Sequence, residues 1–308
     1  MKNAGGAVRV WERLVRGESL DDLALPVRNG RIVVRDLTLP KPSRGRGAVA
    51  GFEGVAELRG TTVLRNVRWK GLDFAECSLS GLRFVDCRLE DCCFERALCR
   101  GWRMWNTTVK RTEFREADLH GAALGGVDAG KRNRFENVYF VRSDMRETAW
   151  VSCDMIGCVF EETRLDKVDF QGTRFEHCSF VGEVREVLFY RHAFGEEQLP
   201  ANDMRGVDFS RARLRSVEFR GLDLKEVKWP TNDDQLVIPE YVQALDRALR
   251  MLAGRAEPGA KNARVLLEMQ RRWAGPAQWE GIVSRRELVA AAGRKLAEEL
   301  IGVLRQRD

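Results

Sequence analysis

The sequence predicts a mainly β solenoid, on three observations. A large apolar residue returns at every fifth position from Leu64: Trp69, Phe74, Leu79, Phe84, Leu89, Phe94, then Met104, Val109, Phe114, Leu119 and Leu124. Two positions before many of these stands a smaller residue, such as Val67, Cys77, Cys87, Cys92, Ala97, Thr107, Thr112, Ala117 and Ala122. The beat then restarts twice, from Phe135 to Phe180 and from Met204 to Trp229. A step of five fits neither the two-residue period of a strand nor the 3.6 of an α-helix, and a fixed short period marks a repeat architecture. Both marked positions face inward if the chain turns at each step. Four such sides then make a coil of about 20 residues stacked on the next at β spacing.

The segments Gly71-Leu72-Asp73-Phe74, Ala117-Asp118-Leu119 and Val207-Asp208-Phe209 resemble the A(D/N)LXX motif of the pentapeptide repeat family. The motif is patchy: Arg83, Arg88 and Arg103 stand where Asp or Asn is usual. The resemblance covers a bit over half the chain and implies a right-handed quadrilateral β-helix. Several members bind bacterial type II topoisomerases, DNA gyrase especially, and protect them from poisons, in some cases by mimicking DNA with an acidic surface. This chain departs on charge: residues 58–230 carry 29 basic against 28 acidic side chains.

Residues 1–57 read as an N-terminal cap and linker. Val8–Arg16 has helical spacing, Asn29-Gly30 marks a turn, Arg31–Leu37 reads as a strand, and Pro40–Gly47 is a linker by composition. A solenoid end exposes unpaired strand edge and calls for a cap. In residues 58–230 the 20-residue period predicts a ring ladder through Phe74, Phe94 and Phe114, continued after a slip by Phe135, Met155 and Phe175. Trp102 stands at a small position and is expected to make a bulge or flip outward. Trp105 follows a large position and is a candidate contact residue.

The slip falls at Gly125–Arg132, read as a loop or bulge; no Lys-Ser/Thr follows its glycines, so it is not a phosphate loop. Between Val181 and Asp203 the motif fails again. There Glu196, Glu197, Gln198 and Leu199 form a protruding acidic loop, the main candidate for partner contact. Arg215, Arg220 and Lys225 in the last coils are further candidates, interleaved with Glu218 and Asp223. Residues 231–308 read as three amphipathic helices: one over Ile238–Leu252 with Pro239 in its first turn, one bearing Val265, Leu266, Met269 and Trp273, and one from Ser284 to Leu304 opened by a capping box with Glu287. They are expected to cap the solenoid or to form a homodimer.

The chemistry classes are thin. Seven of the eight cysteines fall on inward positions, where a thiol serves as a small apolar filler, and none has zinc spacing. His120, His177 and His192 lie in no catalytic motif. The sequence reads as a non-enzyme with no cofactor and no metal. Its modest, spread charge makes direct nucleic-acid binding unexpected. With no signal peptide and no apolar run of membrane length, the expected location is cytoplasmic. The expected activity is binding another macromolecule, DNA gyrase or topoisomerase IV in the sharper form. The alternative is a scaffold or effector working through its C-terminal helices.

Overall fold

A turn of positive φ recurs every fifth residue in the computed structural model, which describes residues 4–35, 37, 62–195, 197–276 and 278–306. Asn66, Gly71, Glu76, Gly81, Asp86, Asp91, Arg96, Gly101, Asn106, Arg111, Glu116 and Gly121 form an unbroken run of such turns. Most are not glycine, and each costs of order 1 kcal/mol of backbone strain. The geometry offsets this by pairing the turn N–H: Glu76 donates to Glu95 O at 2.8 Å, and Arg96 to Arg115 O at 2.7 Å. From Asn66 to Gly101 each turn is thus bonded to the segment 19 residues on, and Arg111, Glu116 and Gly121 to the segment 25 residues on.

The described residues form two compact units, Met1–Asp169 and Phe170–Asp308. In the first, parallel ladders run at a 20-residue register: Leu64 opposite Phe84 and Phe84 opposite Met104, Trp69 opposite Leu89 and Leu89 opposite Val109. Two further ladders pass through Asp73, Cys93 and Glu113, and through Ser78, Leu98 and Asp118. Both marked positions face the core; Cys77, Cys92, Phe74, Phe94 and Leu79 have no exposed surface. Phe74 stacks on Phe94 at 5.0 Å and Phe94 on Phe114 at 4.9 Å.

Three expectations for this unit are corrected. Phe114 stacks on Phe140 at 5.3 Å, and Phe140 on Phe160 at 5.1 Å, so the ladder does not pass to Phe135 and Met155. The register shows why: Val109 pairs with Phe135 and Phe114 with Phe140, a step of 26, so six residues are inserted rather than one. The insertion is a hairpin, Val127–Asp128 against Lys131–Arg132, turning on Ala129 and Gly130 with positive φ at both. Its entry needs glycine, since a Cβ on Gly125 would lie 2.1 Å from Val151 N. Trp102 neither bulges nor flips. It is fully buried, its Nε1–H donates to Leu79 O at 2.7 Å, and its ring meets Phe84, Phe94 and Phe114 at 4.8–6.2 Å. Cys99 makes the room, standing at a position where Phe or Leu is usual.

The N-terminal segment covers the first coil. Helix α1 (Ala4–Arg16) buries Val10, Trp11 and Leu14, and Leu14 O accepts from Trp69 Nε1 at 3.1 Å. The hairpin Val27–Arg28/Arg31–Val33 turns at Asn29-Gly30 and adds Ile32 in parallel to Leu72. The linker Pro40–Gly47 lies outside the described residues.

In the second unit the register widens. Phe180 stacks on Phe209 and Phe189 on Phe219, 29 and 30 residues apart by their numbers. A bulge between Ser179 and Val181 takes up the difference. The repeat then meets a module with its own core. Helices α2 (Tyr241–Leu252), α3 (Pro258–Trp273), α4 (Arg285–Ala292) and α5 (Arg294–Leu304) enclose Leu245, Leu267, Leu288 and Leu300 beside the antiparallel pair Gln235–Pro239/Glu280–Ser284.

Three helical expectations fail here. Leu236 and Ile238 are buried with Val237 exposed between them, a strand period, and Pro239 ends that strand rather than opening α2. Helix α3 buries Ala260, Ala263 and Leu267 and leaves Val265 and Met269 about half exposed, because its small residues let α2 and α4 approach closely. The third helix is broken at Gly293, whose φ of 78° stops α4. The capping box is one-sided. Ser284 Oγ accepts from Glu287 N at 3.1 Å, but the Glu287 carboxylate accepts from Ser216 N and Oγ, at 3.0 and 3.1 Å.

That diversion closes the last coil. Ser216 and Gly221 are turn residues with no further coil to bond. Glu287 takes the Ser216 N–H, Trp273 O takes the Gly221 N–H at 3.0 Å, and Gln235 Nε2 donates to Leu214 O at 2.9 Å. Gly275 sits so close that a Cβ there would lie 2.8 Å from Gly221 Cα.

Candidate interaction surface

Charged side chains follow the turn positions, so residues one coil apart stack on the surface. One such column reads Glu76, Arg96, Glu116, Arg142, Glu162. Its signs alternate: Arg96 pairs with Glu76, and Arg142 with Glu116 at 2.7 Å. In the next column Arg111 grips Asp91 through two bonds, at 2.7 and 2.9 Å. The guanidinium beside each carboxylate holds Glu76 and Asp91 below the ordinary carboxylate range. The near-neutral charge of the repeat is therefore built from pairs, each exposed and worth little singly.

Trp105 is half-buried beside the inserted hairpin, and a Cβ on Gly126 would lie 3.9 Å from its ring. In the second unit, Arg215 pairs with Glu183 at 3.4 Å and Lys225 with Asp223 at 3.6 Å, both cations exposed. Arg205 pairs with Glu176 at 3.4 Å. Arg215, Arg220 and Lys225 stand in successive repeats, and each is paired with a different carboxylate, Glu183, Glu218 and Asp223. Arg220 is engaged throughout. It bonds Glu218 and the Tyr190 hydroxyl, and its guanidinium lies 4.0 Å from the Trp273 ring and 4.8 Å from that of Tyr190. Desolvated contacts of this kind fix α3 to the strand Glu218–Arg220.

The second insertion carries the other candidates. Glu196 lies outside the described residues. Glu197 and Gln198 are exposed, and Leu199 is half-buried. Phe194, which sequence reasoning missed, is 68% exposed at the start of the same loop. Its ring lies 5.5 Å from that of Tyr190. The signal was masked by phase: Phe194 and Leu199 keep the five-residue beat between Phe189 and Met204. The insertion is ten residues, two whole repeats, and so leaves no slip to see.

Each insertion is followed by a buried Asn at a small position. Asn133 Oδ1 accepts from Thr107 N at 2.8 Å, and its Nδ2 donates to Met104 O and Leu124 O at 2.8 and 2.9 Å. Asn202 Oδ1 accepts from Met204 N at 3.1 Å and Phe175 N at 3.2 Å. An amide satisfies backbone groups that the interrupted ladder leaves over.

The cysteines are all free and buried. They do more than fill space, since Cys87 Sγ donates to Leu64 O at 3.3 Å and Cys158 Sγ to Phe135 O at 3.4 Å, each 23 residues back. Thr163 makes the same bond to Phe140 O at 2.7 Å. Burial pushes the Cys92 thiol up to about 12 and the Cys99 thiol well above its ordinary value. Thiolate is the reactive form, so the folded protein should show less than about one thiol per chain reacting promptly with DTNB at pH 8. All eight should react once denaturant unfolds it; prompt native labelling of several would contradict the buried assignment. Among the described residues no cluster of His, Cys, Asp and Glu is arranged to hold a metal ion, and no helix is long and apolar enough to cross a membrane.

Comparison with known proteins bears on the repeat. The family model for pentapeptide repeats matches in eight copies, over residues 62–96, 92–128, 152–182 and 201–228. Among solved structures, the chain is similar to full-length QnrB1, a plasmid-mediated fluoroquinolone resistance protein, at 14% identity over 51% of this chain and 84% of that one, with a TM-score of 0.24. It is similar also to HetL, a pentapeptide repeat protein involved in heterocyst differentiation regulation from the cyanobacterium Nostoc, at 14% identity over 55% and 83% of the two chains, with a TM-score of 0.17. Rfr23 from the cyanobacterium Cyanothece matches at 10% identity over 54% and 90%, with a TM-score of 0.17. No curated protein matches the sequence. The eight matched copies coincide with the five-residue turns, so residues 62–128, 152–182 and 201–228 of this chain are pentapeptide repeats.

Proposed function

We propose that this chain is a non-enzymatic cytoplasmic binding protein whose repeat, a right-handed quadrilateral β-helix spanning 58–230, holds out a partner-binding loop, with 1–57 and 231–308 as end modules. The partner proposed is a bacterial type II topoisomerase, DNA gyrase first and topoisomerase IV second, with protection from topoisomerase poisons as the result. The observation that carries the reading is the ten-residue insertion between Phe189 and Met204. It exposes Phe194, Glu197 and Gln198 while Phe189 and Phe219 on either side of it stay stacked. Beyond its edge contact with Tyr190 the Phe194 ring is left in solvent, and rigid scaffolds commonly carry function on such loops. The choice of topoisomerase rests on the family resemblance. Charge argues for contact through the loop rather than DNA mimicry, because the stacked columns alternate in sign where a mimic needs a continuous acidic face.

The test is a gyrase supercoiling assay with a fluoroquinolone. The full chain should restore supercoiling at micromolar concentration. A variant lacking residues 195–200 should lose at least about tenfold in that effect with an unchanged thermal transition. Absence of rescue by the full chain on both enzymes rejects the topoisomerase reading, and full rescue by the deletion rejects the loop. A second reading places partner binding, or a homodimer, on the C-terminal helices, and the exposed Val265, Met269 and Trp279 favour it. Val265→Asp with Met269→Asp would abolish binding or dimerisation in that case and leave the supercoiling assay untouched.

A further inference from the structure

At the position before the large inward residue, Asp73, Asp118, Asp144 and Asp208 each accept a hydrogen bond from the backbone N–H two residues on, at 2.8–3.2 Å. Arg68, Arg83, Arg88 and Arg103 hold that position in the first coils, and a guanidinium has no acceptor to offer. The four fall on two neighbouring ladders, joined by the turns at Asn66, Asp86 and Asn106. Arg68 lies opposite Arg88, and Arg83 opposite Arg103. Paired strands are about 4.8 Å apart, so like charges repel along both ladders.

The fold sorts the spread charge of the sequence by ladder. Residues 62–70, 82–90 and 102–110, which hold these two ladders, carry seven basic and two acidic side chains. Residues 71–81, 91–101 and 111–121, which hold the other two, carry four and seven. The basic excess is not neutralised. Among the described residues the side chains of Arg68, Arg83 and Arg88 enter no ion pair and no hydrogen bond, and Arg68 and Arg88 are exposed. Arg103 bonds only the backbone carbonyls of Trp102 and Gly121, at 3.0 and 2.8 Å. Lys110 is paired with Glu136 at 2.7 Å, and Lys70 stands near Asp91. Of the two acids, Asp86 accepts from Asn106, and Glu90 lies 3.9 Å from Arg111.

What such a surface can hold follows from what it lacks. Among the described residues of these two ladders no large apolar side chain is exposed; Val85 is buried and Trp105 half-buried. A protein partner is held by buried aromatic or apolar anchors, and a single strand of nucleic acid by aromatic platforms for its bases. The phosphates of a duplex need neither, and the guanidinium fork matches them. We propose that the two ladders bind duplex DNA through its phosphates, without regard to sequence, along Arg68, Arg83, Arg88 and Arg103. The surface uses none of the loop residues. The choice of DNA over an RNA duplex rests on the topoisomerase reading; the phosphate-binding surface does not.

The test is fluorescence anisotropy of a short labelled DNA duplex with the full chain and no enzyme, so its outcome is separate from that of the supercoiling assay. Binding should saturate at 50 mM salt and weaken at least about tenfold by 200 mM, as three or four neutralised phosphates require. Arg68→Glu with Arg88→Glu should weaken it at least about tenfold at constant salt. The thermal transition should not fall, since neither side chain bonds another residue. Arg68→Gln with Arg88→Gln gives the same readout should the Glu pair fail to fold. Arg100→Glu with Arg115→Glu makes the same change of net charge on the other two ladders and should bind within about threefold of the parent. The proposal is overturned if the duplex does not bind, or if the two Glu pairs weaken it equally, since binding would then follow net charge alone. It is overturned also if labelled poly-glutamate of equal charge binds as tightly, which would make the partner an acidic protein. An RNA duplex bound at least tenfold more tightly than DNA would overturn the choice of DNA.

Discussion

Trp102→Ala should destabilise the first unit by about 4 kcal/mol, near the top of the range for an aromatic removed from a core. The indole is fully buried and meets three phenylalanine rings in edge-on or tilted geometry. Such pairs contribute about 0.5–1.5 kcal/mol each beyond burial. Its Nε1–H is also the donor to Leu79 O at 2.7 Å, and truncation leaves that carbonyl without it. Collapse of the cavity is opposed by the parallel ladders on each side. Trp102→Phe separates the two contributions. It keeps most of the ring packing and loses only the donor, so it should cost about 1–2 kcal/mol. Denaturant unfolding of the full chain, followed by circular dichroism, reads both. A cost under about 1 kcal/mol for the alanine variant would mean that the indole is not the keystone of the core.

The same residue shows where sequence reasoning met its limit. A five-residue beat says which positions face inward, and every large position from Leu64 to Leu124 does. It does not say how volume is shared among neighbouring inward positions. Trp102 fits because Cys99, three residues earlier, is small where a large residue is usual, a local exchange that a rule for single positions reads as two separate anomalies. The cysteines were legible as inward for the right reason and yet incompletely. Their place in the series of Thr, Ser and Trp donors to the carbonyl one coil back comes from a 23-residue relation that no periodic count of apolar residues reveals.

Insertions divide in the same physical way. Six residues shift a period of five by one, so the hairpin at Val127–Arg132 shows as a slip of one in the phase, and taking that slip for the whole insertion sends the ladder to Phe135 instead of Phe140. Ten residues do not shift the period, so nothing in the beat sets Phe194 apart, although it stands mostly in solvent. Composition alone, the run Gly195 to Pro200, marked that place. The helical module was legible in kind and wrong in detail, because Leu236-Val237-Ile238 satisfies strand alternation and also supplies Ile238 as the first member of a helical series. Of the candidate contacts, Glu197 and Gln198 are exposed, whereas Arg220 is held between two aromatic rings. A charge count cannot foresee that, since the partner Trp273 lies 53 positions away.

Asn133→Leu should cost about 3–5 kcal/mol although no volume is lost, since leucine has the same branched shape and is the bulkier residue. The amide stands at the first small position after the hairpin, fully buried. It gives Thr107 N an acceptor and gives Met104 O and Leu124 O a donor each. In an uninterrupted coil these needs are met by the neighbouring segment, as when Thr107 Oγ1 faces Cys87 N at 3.4 Å. Leucine leaves one buried N–H and two carbonyls short, at about 1–3 kcal/mol for a fully orphaned group and less for a carbonyl that keeps another donor. Asn133→Asp keeps the acceptor for Thr107 N but removes both donor bonds and buries a charge, so it should fare no better. The hairpin would lose its anchor first. Hydrogen exchange at Thr107 N–H should accelerate in Asn133→Leu by at least about tenfold over the amides of Phe74 and Phe94, which stand in the undisturbed ladder. Equal protection at all three would show that the insertion is held by its own turn and that Asn133 only fills space. The parallel with Asn202, whose Oδ1 accepts from Phe175 N and Met204 N, extends the expectation to the longer insertion. In both places the repeat admits a loop where an asparagine re-enters the ladder, so the residue that makes a surface loop tolerable is a buried one two positions before the beat resumes.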